Sequence, residues 1–189
     1  MSSKQAILQA LSTTALSDNA MPVINIPARL DDLLSQFETS LNTVTATLHR
    51  DGGLTGLQAE IDKLSSEGKQ IISLVDGVTG NREVPADPHE LHDIDYAIIK
   101  GHVGVAENGC IWVNNESVGH RVTPFICENL LIVLAAEDVC ANMHIAVQKV
   151  EIASGQFGTF ISGPSKTADI EQSLVVGAHG ACSLNVYLV

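Results

Sequence analysis

The clearest periodic pattern in the chain runs from residue 30 to residue 48. Apolar side chains recur there at intervals of three and four residues, which places them on one face of a helix. These side chains are Leu30, Leu33, Leu34, Phe37, Leu41, Val44 and Leu48. The pattern predicts an amphipathic helix that ends at Gly52-Gly53. Leu57, Ile61 and Leu64 predict a second helix that stops near Gly68.

Short apolar runs dominate the rest of the chain and are typical of buried strands. They occupy residues 70–75, 96–99, 103–106, 110–113, 130–135 and 184–189, and a helical pattern covers 137–150. The Asn-Gly pair in Glu107-Asn108-Gly109 predicts a tight hairpin between two of these runs. Together the elements predict an α/β fold: a largely parallel sheet with flanking helices and a β-hairpin.

A weaker helical stripe covers residues 4–16, and the prolines in 18–28 indicate a linker. We therefore expect an N-terminal helix and linker over residues 1–28 and a single α/β domain over 29–189. A chain of 189 residues with 45% hydrophobic residues is large enough to bury a substantial core. Only 4% of the residues are aromatic, so the core must be built mainly from aliphatic side chains.

The chain carries a formal net charge of −12, which changes the set of expected partners. Nucleic acids and anionic membranes attract clustered lysine and arginine, so neither is an expected partner. An anionic substrate would need a local cation. Past residue 99 the cationic side chains are Lys100, Arg121, Lys149 and Lys166.

The cysteines indicate a reducing compartment. The four of them contain no C-x-x-C pair and lie among apolar neighbours, so they are expected to be small buried residues. We expect no intrinsic iron–sulfur cluster or other cofactor, and no metal site, since His89 and His92 belong to a solvated acidic loop. No signal peptide or membrane-spanning run is apparent, which favours a cytoplasmic protein.

The richest chemistry follows the apolar run at 157–161. Residues 162–171 read Ser-Gly-Pro-Ser-Lys-Thr-Ala-Asp-Ile-Glu, and 177–180 read Gly-Ala-His-Gly. We interpret this stretch as strand, loop, short helix, His-Gly turn and strand. A loop between a strand and a helix suits anion capture by backbone N–H groups, with Lys166 adding charge. The alternative is that Ser165 or Thr167 only caps the helix.

Two further side chains have a chemical and a plainer interpretation. His179 lies between glycines, where it could transfer a proton or hold a carboxylate, or simply bond to a turn carbonyl. Glu107 lies at the hairpin tip, where a carboxylate could be a nucleophile or base, or an ordinary turn residue.

The C-terminal motif resembles the signature of the LUD domain, the lactate-utilization C-type family. The similar residues are Gly163 to Glu171, followed by Gly177, His179 and Gly180. Residues 104–109 are similar to the family's Gly-Ile-Ala-Glu-Thr-Gly hairpin, and the resemblance covers roughly residues 95–189. The chain departs from the family at Ala181, where proline is usual, and at Asn108, where threonine is usual.

The resemblance implies a NagB/RpiA/CoA-transferase-like fold. It also implies a non-cluster subunit or accessory protein of a cytoplasmic system that oxidises L-lactate or a related hydroxy acid with iron–sulfur partners. Catalytic roles are then expected for Glu107 and His179. The residues expected to bind a small anionic ligand are Gly163, Ser165, Lys166, Thr167, Asp169 and Gly180.

Two other functions remain open from the sequence. Residues 106–111 are similar to the Ser-Glu-Asn-Gly stretch of CoA transferases, whose glutamate is the nucleophile, although Ala106 replaces the serine. This similarity favours a stand-alone CoA-transferase-like or sugar-phosphate-type enzyme that uses Glu107. Alternatively, the helix at 30–48 could dock a partner or a second copy of the chain, which would make the protein an interaction module or homo-oligomer.

Overall fold

The computed structural model describes residues 2–12, 20, 22, 26, 32–168, 174–177 and 179–189. Within this part of the chain there are six α-helices and eleven β-strands. The helices are α1 (Ser3–Ser12), α2 (Leu33–Thr43), α3 (Gly53–Ser66), α4 (Asn115–Val118), α5 (Thr123–Ile126) and α6 (Met143–Lys149). The strands are β1 (Thr47–His49), β2 (Ile71–Ser73), β3 (Tyr96–Lys100), β4 (Val103–Val105), β5 (Cys110–Asn114), β6 (Asn129–Leu134), β7 (Val139–Cys140), β8 (Gly158–Ile161), β9 (Lys166–Ala168), β10 (Leu174–Val176) and β11 (Ser183–Leu188).

A parallel sheet forms the centre of the fold. Its order is β1-β11-β6-β3-β2, with every neighbouring pair parallel. Strand β6 lies in the middle, and its residues from Leu130 to Leu134 are all buried. Burial on both faces accounts for the continuous apolar run that predicted this strand. The expected α/β fold with a parallel sheet flanked by helices is confirmed.

A smaller mixed sheet packs beside the parallel one, in the order β7-β4-β5-β8. Strands β4 and β5 are antiparallel, with Val105 opposite Cys110, so the predicted hairpin at Glu107-Asn108-Gly109 is present. The main core cluster joins α2 to both sheets: Phe37 and Leu41 pack with residues such as Ile111 and Ile132. Helix α3 covers the other face of the parallel sheet through Leu57 and Ile61.

The helix predicted over residues 30–48 is shorter than expected. Helix α2 ends at Thr43, Thr45 adopts a positive φ of 63°, and Leu48 belongs to β1 opposite Val186. Helical spacing continues into the strand by coincidence: Val44 is half-buried at the C-cap of α2, and Leu48 is buried as a residue of β1. The apolar face of α2 is also filled by the chain's own core, since Phe37 and Leu41 are fully buried. Within the described part of this helix, Phe37 and Leu41 are therefore not available to a partner.

The helix predicted over residues 137–150 is also shorter. Val139 and Cys140 form β7, which pairs in parallel with β4, and α6 begins only at Met143. The Asn142 side chain caps α6 by accepting a hydrogen bond from the Ile145 N–H at 3.0 Å. The β-branched Val139 pairs with β4 in the smaller sheet and packs into the main core cluster, so tertiary packing overrides the helical pattern at this end.

The short helix predicted after the loop at 162–165 is replaced at its start by a strand. Strands β9 and β10 form an antiparallel pair in which Lys166 lies opposite Val176. The loop therefore leads directly into a strand, and no helix begins immediately after Ser165. The helix N-terminus expected at this point to bind an anion is replaced by β9. Residues 169–173 of the predicted helix lie outside the described residues.

None of the helices in the described segments is long and apolar enough to cross a membrane.

Candidate functional site

A cleft of about 320 Å³ opens at the amino ends of β6 and β11. Leu130 and Leu184, near the starts of these strands, form part of its apolar wall together with Phe160. Five of the residues expected at a ligand site line the same cleft. They are Gly163, Ser165, Lys166, His179 and Gly180. We refer to this space as the motif cleft.

The backbone of Ser165 ties the two parts of the motif together. Its N–H donates to the Ala181 carbonyl at 2.8 Å, and its carbonyl accepts from the Gly177 N–H at 2.9 Å. Gly177 has a positive φ of 81° and passes against the Cys182 side chain. A side chain at Gly177 would meet the Cys182 sulfur, so this position requires glycine. The His-Gly turn is thereby held beside the loop that carries Lys166.

Lys166 connects the motif cleft to α2. Its Nζ donates a hydrogen bond to the Val44 carbonyl at 2.7 Å, just past the C-terminal end of that helix. A cation is stabilised there by the negative end of the helix dipole. The side chain is exposed, and an ammonium has three donors, so it can bond to a ligand while keeping the Val44 contact.

His179 is exposed and lies between the motif cleft and a second, larger cleft. The second cleft has a volume of about 600 Å³ and an acidic lining that includes Asp93, Asp95 and Glu128. We refer to it as the acidic cleft. His179 thus borders the cleft that contains Lys166 and apolar residues as well as the cleft that contains carboxylates. This arrangement suits proton transfer to or from a bound ligand.

Asp95 is fixed at the amino end of β3. Its carboxylate accepts hydrogen bonds from the Gln70 N–H at 2.7 Å and from Lys69 Nζ at 2.9 Å. The Gln70 bond first, and then the Lys69 bond, hold the pKa of Asp95 below its ordinary value. These bonds are made by the ionised carboxylate, so they stabilise the folded state only while Asp95 is charged.

Asp95→Asn is therefore expected to change how the free energy of unfolding varies with pH in the acidic range. The pKa of Asp95 is lower in the folded state than in the unfolded state. The extra free energy of unfolding of the wild-type protein, relative to Asp95→Asn, is therefore fully present above the unfolded-state pKa of about 4. The advantage is lost as the pH falls through the lower pKa of the folded protein. Urea unfolding at a series of pH values should show the two proteins converging below about pH 4. Lys69→Met should show a smaller change, because the Gln70 bond remains. A wild-type advantage that is independent of pH would contradict this assignment.

Glu107 lies apart from the residues that line the two clefts. Its Oε2 accepts a hydrogen bond from the Met143 N–H at 3.1 Å, at the start of α6. The hairpin still touches the motif loop, since the Ser162 hydroxyl donates to the Asn108 carbonyl at 3.1 Å. Of the other expected ligand residues, Thr167 contributes its backbone to β9, and Asp169 lies outside the described residues.

No group of three or more histidine, cysteine, aspartate or glutamate side chains in the described segments is placed to hold a metal ion. The four cysteines have free thiols. Cys127 is buried at the floor of the acidic cleft, and burial raises its pKa to about 12. The exposed His89 bonds to Asp87 Oδ1 at 2.8 Å and belongs to a surface turn.

The apolar residues that line the motif cleft could not be predicted from the sequence. Leu130 and Phe160 lie on strands that are separated along the chain and belong to different sheets. Both look like ordinary core residues in their own segments. Their meeting at the cleft depends on the strand order, which local periodicity does not encode.

Comparison with known proteins then places the chain in a family. The LUD domain model matches residues 22–189. The chain belongs to the LUD-domain family. This match confirms the resemblance found in the C-terminal motif.

Three curated relatives carry the name lactate utilization protein C. The one from Oceanobacillus iheyensis is 25% identical over 50% of this chain and 43% of its own length. The relative from Shouchella clausii is 28% identical over 53% of this chain and 46% of its own length. The relative from Bacillus pumilus is 33% identical over 45% of this chain and 38% of its own length. The matched part of this LUD-domain chain thus spans less than half the length of each relative.

A solved structure supports the fold. The crystal structure of a DUF162 family protein from Deinococcus radiodurans matches with a TM-score of 0.62 and 18% identity. The match covers 86% of this LUD-domain chain and 99% of that one. At this identity the similarity establishes a shared fold.

Proposed function

We propose that this LUD-domain protein acts in the utilisation of lactate or a closely related 2-hydroxy acid, and that the motif cleft binds the acid. The observation that carries the proposal is the convergence of Ser165, Lys166 and His179 on one small cleft with an apolar wall. The names of the three curated relatives support the substrate class. In a protein with a net charge of −12, a local cation is needed to attract such an anion.

The chemistry of the cleft matches the parts of a 2-hydroxy acid. The Lys166 ammonium would pair with the carboxylate, and the Ser165 hydroxyl could donate to it as well. Leu130 and Leu184 would contact the methyl group. His179 would accept the proton of the C2 hydroxyl when the acid is oxidised to a 2-oxo acid.

Oxidation also removes the hydrogen on C2, which leaves as a proton to solvent, and two electrons, which must pass one at a time to an acceptor. We propose that the acceptor belongs to iron–sulfur partner proteins, as the family resemblance implies. The LUD-domain chain would then bind and orient the acid as a non-cluster subunit, while its partners carry the electrons.

Lys166→Met is expected to weaken the binding of L-lactate and pyruvate by at least about fivefold, because a charged hydrogen bond to the carboxylate is lost. Isothermal titration calorimetry of both purified proteins measures this difference. Lys149→Met is the matched control, since Lys149 is an exposed lysine in the last turn of α6. The ligand assignment is refuted if the two variants bind alike, or if the wild-type protein binds neither acid at millimolar concentration.

The partner assignment needs a separate experiment. The tagged chain, purified gently from its native cells, should bring down iron–sulfur proteins in near-equal amount. Their absence under conditions that retain other stable complexes would overturn the subunit role. It would leave the result of the calorimetry unaffected.

Glu107 has no part in this proposal, because its carboxylate accepts a hydrogen bond at the start of α6 and lies outside the motif cleft. A CoA-transferase-like mechanism would instead require Glu107 to take the CoA group from an acyl-CoA substrate as a glutamyl-CoA thioester, with the acyl group released as free carboxylate. After incubation with acetyl-CoA, borohydride would reduce that thioester to an alcohol, which mass spectrometry would detect at Glu107. A modified Glu107, absent in Glu107→Gln, would replace the present proposal with that mechanism.

A further inference from the structure

A third cavity lies at the opposite end of the parallel strands from the motif cleft. It has a volume of about 250 Å³ and lies at the carboxyl ends of β2, β3 and β6. We refer to it as the carboxyl-edge cavity. Ligands of open parallel sheets characteristically bind outside the carboxyl ends of the strands. None of the motif residues singled out in the sequence borders this space.

The walls of the carboxyl-edge cavity are mainly aliphatic. Leu54 comes from the first turn of α3, Leu74 and Val75 follow β2, and Val133 belongs to β6. Ala135 and Val189 complete the lining, and its charged side chains are Lys100 at the end of β3 and Asp76 after β2. A small apolar space with one cation and one anion at its border is typical of a site for a small amphipathic molecule.

Lys100 is placed to serve as the anion-binding group. Tyr96 and Ile98 of the same strand pack against the core cluster beneath α3, and strand alternation puts Lys100 on that face as well. Within the part of the chain that the structure describes, no hydrogen bond or ion pair holds the Lys100 ammonium. Lys69 and Lys166, by contrast, are both hydrogen-bonded to protein oxygens.

The start of α3 adds positive potential at the same edge. Gly52 is the N-cap of this helix and provides no side-chain hydrogen bond to the first turn. The first N–H groups of a helix carry the positive end of its dipole. Lys100 and this helix terminus together favour a ligand with one negative charge in the carboxyl-edge cavity. The Asp76 carboxylate disfavours a second negative charge on the same ligand.

From this juxtaposition we propose that the carboxyl-edge cavity binds a monocarboxylate with an apolar chain of about four to six carbons. The carboxylate pairs with Lys100, and the chain lies against Leu54, Leu74 and Val133. Asp76 selects against dicarboxylates and phosphate esters, because their second negative charge would lie near its own. This site is separate from the motif cleft, and the proposal does not depend on lactate binding there.

The test uses 4-methylpentanoate as the ligand and the full chain as the protein. Calorimetric affinity should fall at least about fivefold in Lys100→Met, because the carboxylate loses its charged partner. Ala135→Leu should also abolish binding by filling the cavity with the larger side chain. Adipate has two carboxylates on a similar chain and should bind at least about tenfold more weakly than 4-methylpentanoate to the wild-type protein. Thermal unfolding of each variant verifies that it is folded.

Two control variants separate this site from the motif cleft. Lys149→Met should retain wild-type affinity for 4-methylpentanoate, and Lys166→Met should lose much less affinity than Lys100→Met. Loss of affinity in Lys166→Met rather than in Lys100→Met would place the carboxylate in the motif cleft and overturn the proposal. Equal binding of adipate and 4-methylpentanoate, or no binding of 4-methylpentanoate by the wild-type protein, would overturn it as well.

Discussion

Replacing Gly163 by alanine is expected to lower the free energy of unfolding by about 2–4 kcal/mol. Gly163 has a φ of 72°, in the left-handed region that disfavours residues with a Cβ atom. An added Cβ would also collide with the Val44 carbonyl oxygen and approach the Val44 side chain. The backbone cannot move away freely, since Lys166 bonds to the same carbonyl.

Gly155→Ala is the matched control for this prediction. Gly155 has a similar φ of 81°, yet an added Cβ there would meet no atom within 4 Å. Its replacement should cost only the conformational term, about 1 kcal/mol. Urea denaturation of the three proteins measures both values. Equal losses in the two variants would show that the contact between Gly163 and Val44 contributes nothing to stability.

Gly163→Ala should also reduce the affinity for L-lactate. The substitution separates the motif loop from the end of α2, and this contact positions Lys166. Gly155→Ala should leave lactate binding unchanged. A destabilised Gly163→Ala protein that binds lactate with wild-type affinity would show that the cleft does not depend on the loop's attachment to α2.

Phe37→Ala is expected to destabilise the fold by about 3–5 kcal/mol. Phe37 is fully buried and joins α2 to the core between the two sheets. It packs against β4 at Gly104, where an added Cβ would lie 3.3 Å from the Phe37 Cζ atom. Truncation therefore leaves a cavity at the junction of three elements, which the rigid sheets cannot close.

Phe125→Ala provides the comparison, because Phe125 is 45% exposed. Its edge-to-face contact with Phe157 adds only a modest contribution, so the loss should be about 1 kcal/mol or less. Guanidinium denaturation gives both free energies. A loss in Phe37→Ala as small as that in Phe125→Ala would show that α2 is peripheral to the core.

The sequence predicted the central part of the fold well, for a physical reason. Strand β6 is buried on both faces, so its apolar run had only one reasonable interpretation. The hairpin at Glu107-Asn108-Gly109 was equally clear, because the Asn-Gly pair directly encodes a turn. Helix α3 was correctly bounded by Gly68, whose positive φ ends it.

The errors share a different cause. Leu48 and Val139 each continued a helical pattern but were drawn into strands by pairing with β11 and β4. Lys166 was expected to precede a helix directly, whereas it lies in β9 and pairs with Val176 of the antiparallel β10. In each case a distant strand decided the local conformation, and local spacing contains no information about that strand.

The sequence singled out three polar residues that line the motif cleft, but it did not predict the apolar residues that form the wall of that cleft. Ser165, Lys166 and His179 are close in sequence and were found as one motif, and the structure places them on one cleft. Leu130 could be assigned to the motif cleft only once the order of the strands was known. The carboxyl-edge cavity was missed altogether, because Lys100 appeared in the sequence only as one of a few cations.

The position of β1 determines when this protein can complete its folding. Among the described residues strand β1 pairs only with β11, and His49 Nε2 lies 3.0 Å from Asn185 Oδ1 across 136 residues of chain. During synthesis, residues 47–49 must therefore wait for almost all of the described chain to emerge before their own partner exists. Such non-local pairing slows folding and leaves an unpaired strand available to other chains. Strand β11 thus closes the parallel sheet at β1, and a chain truncated before residue 183 would lack the partner of β1.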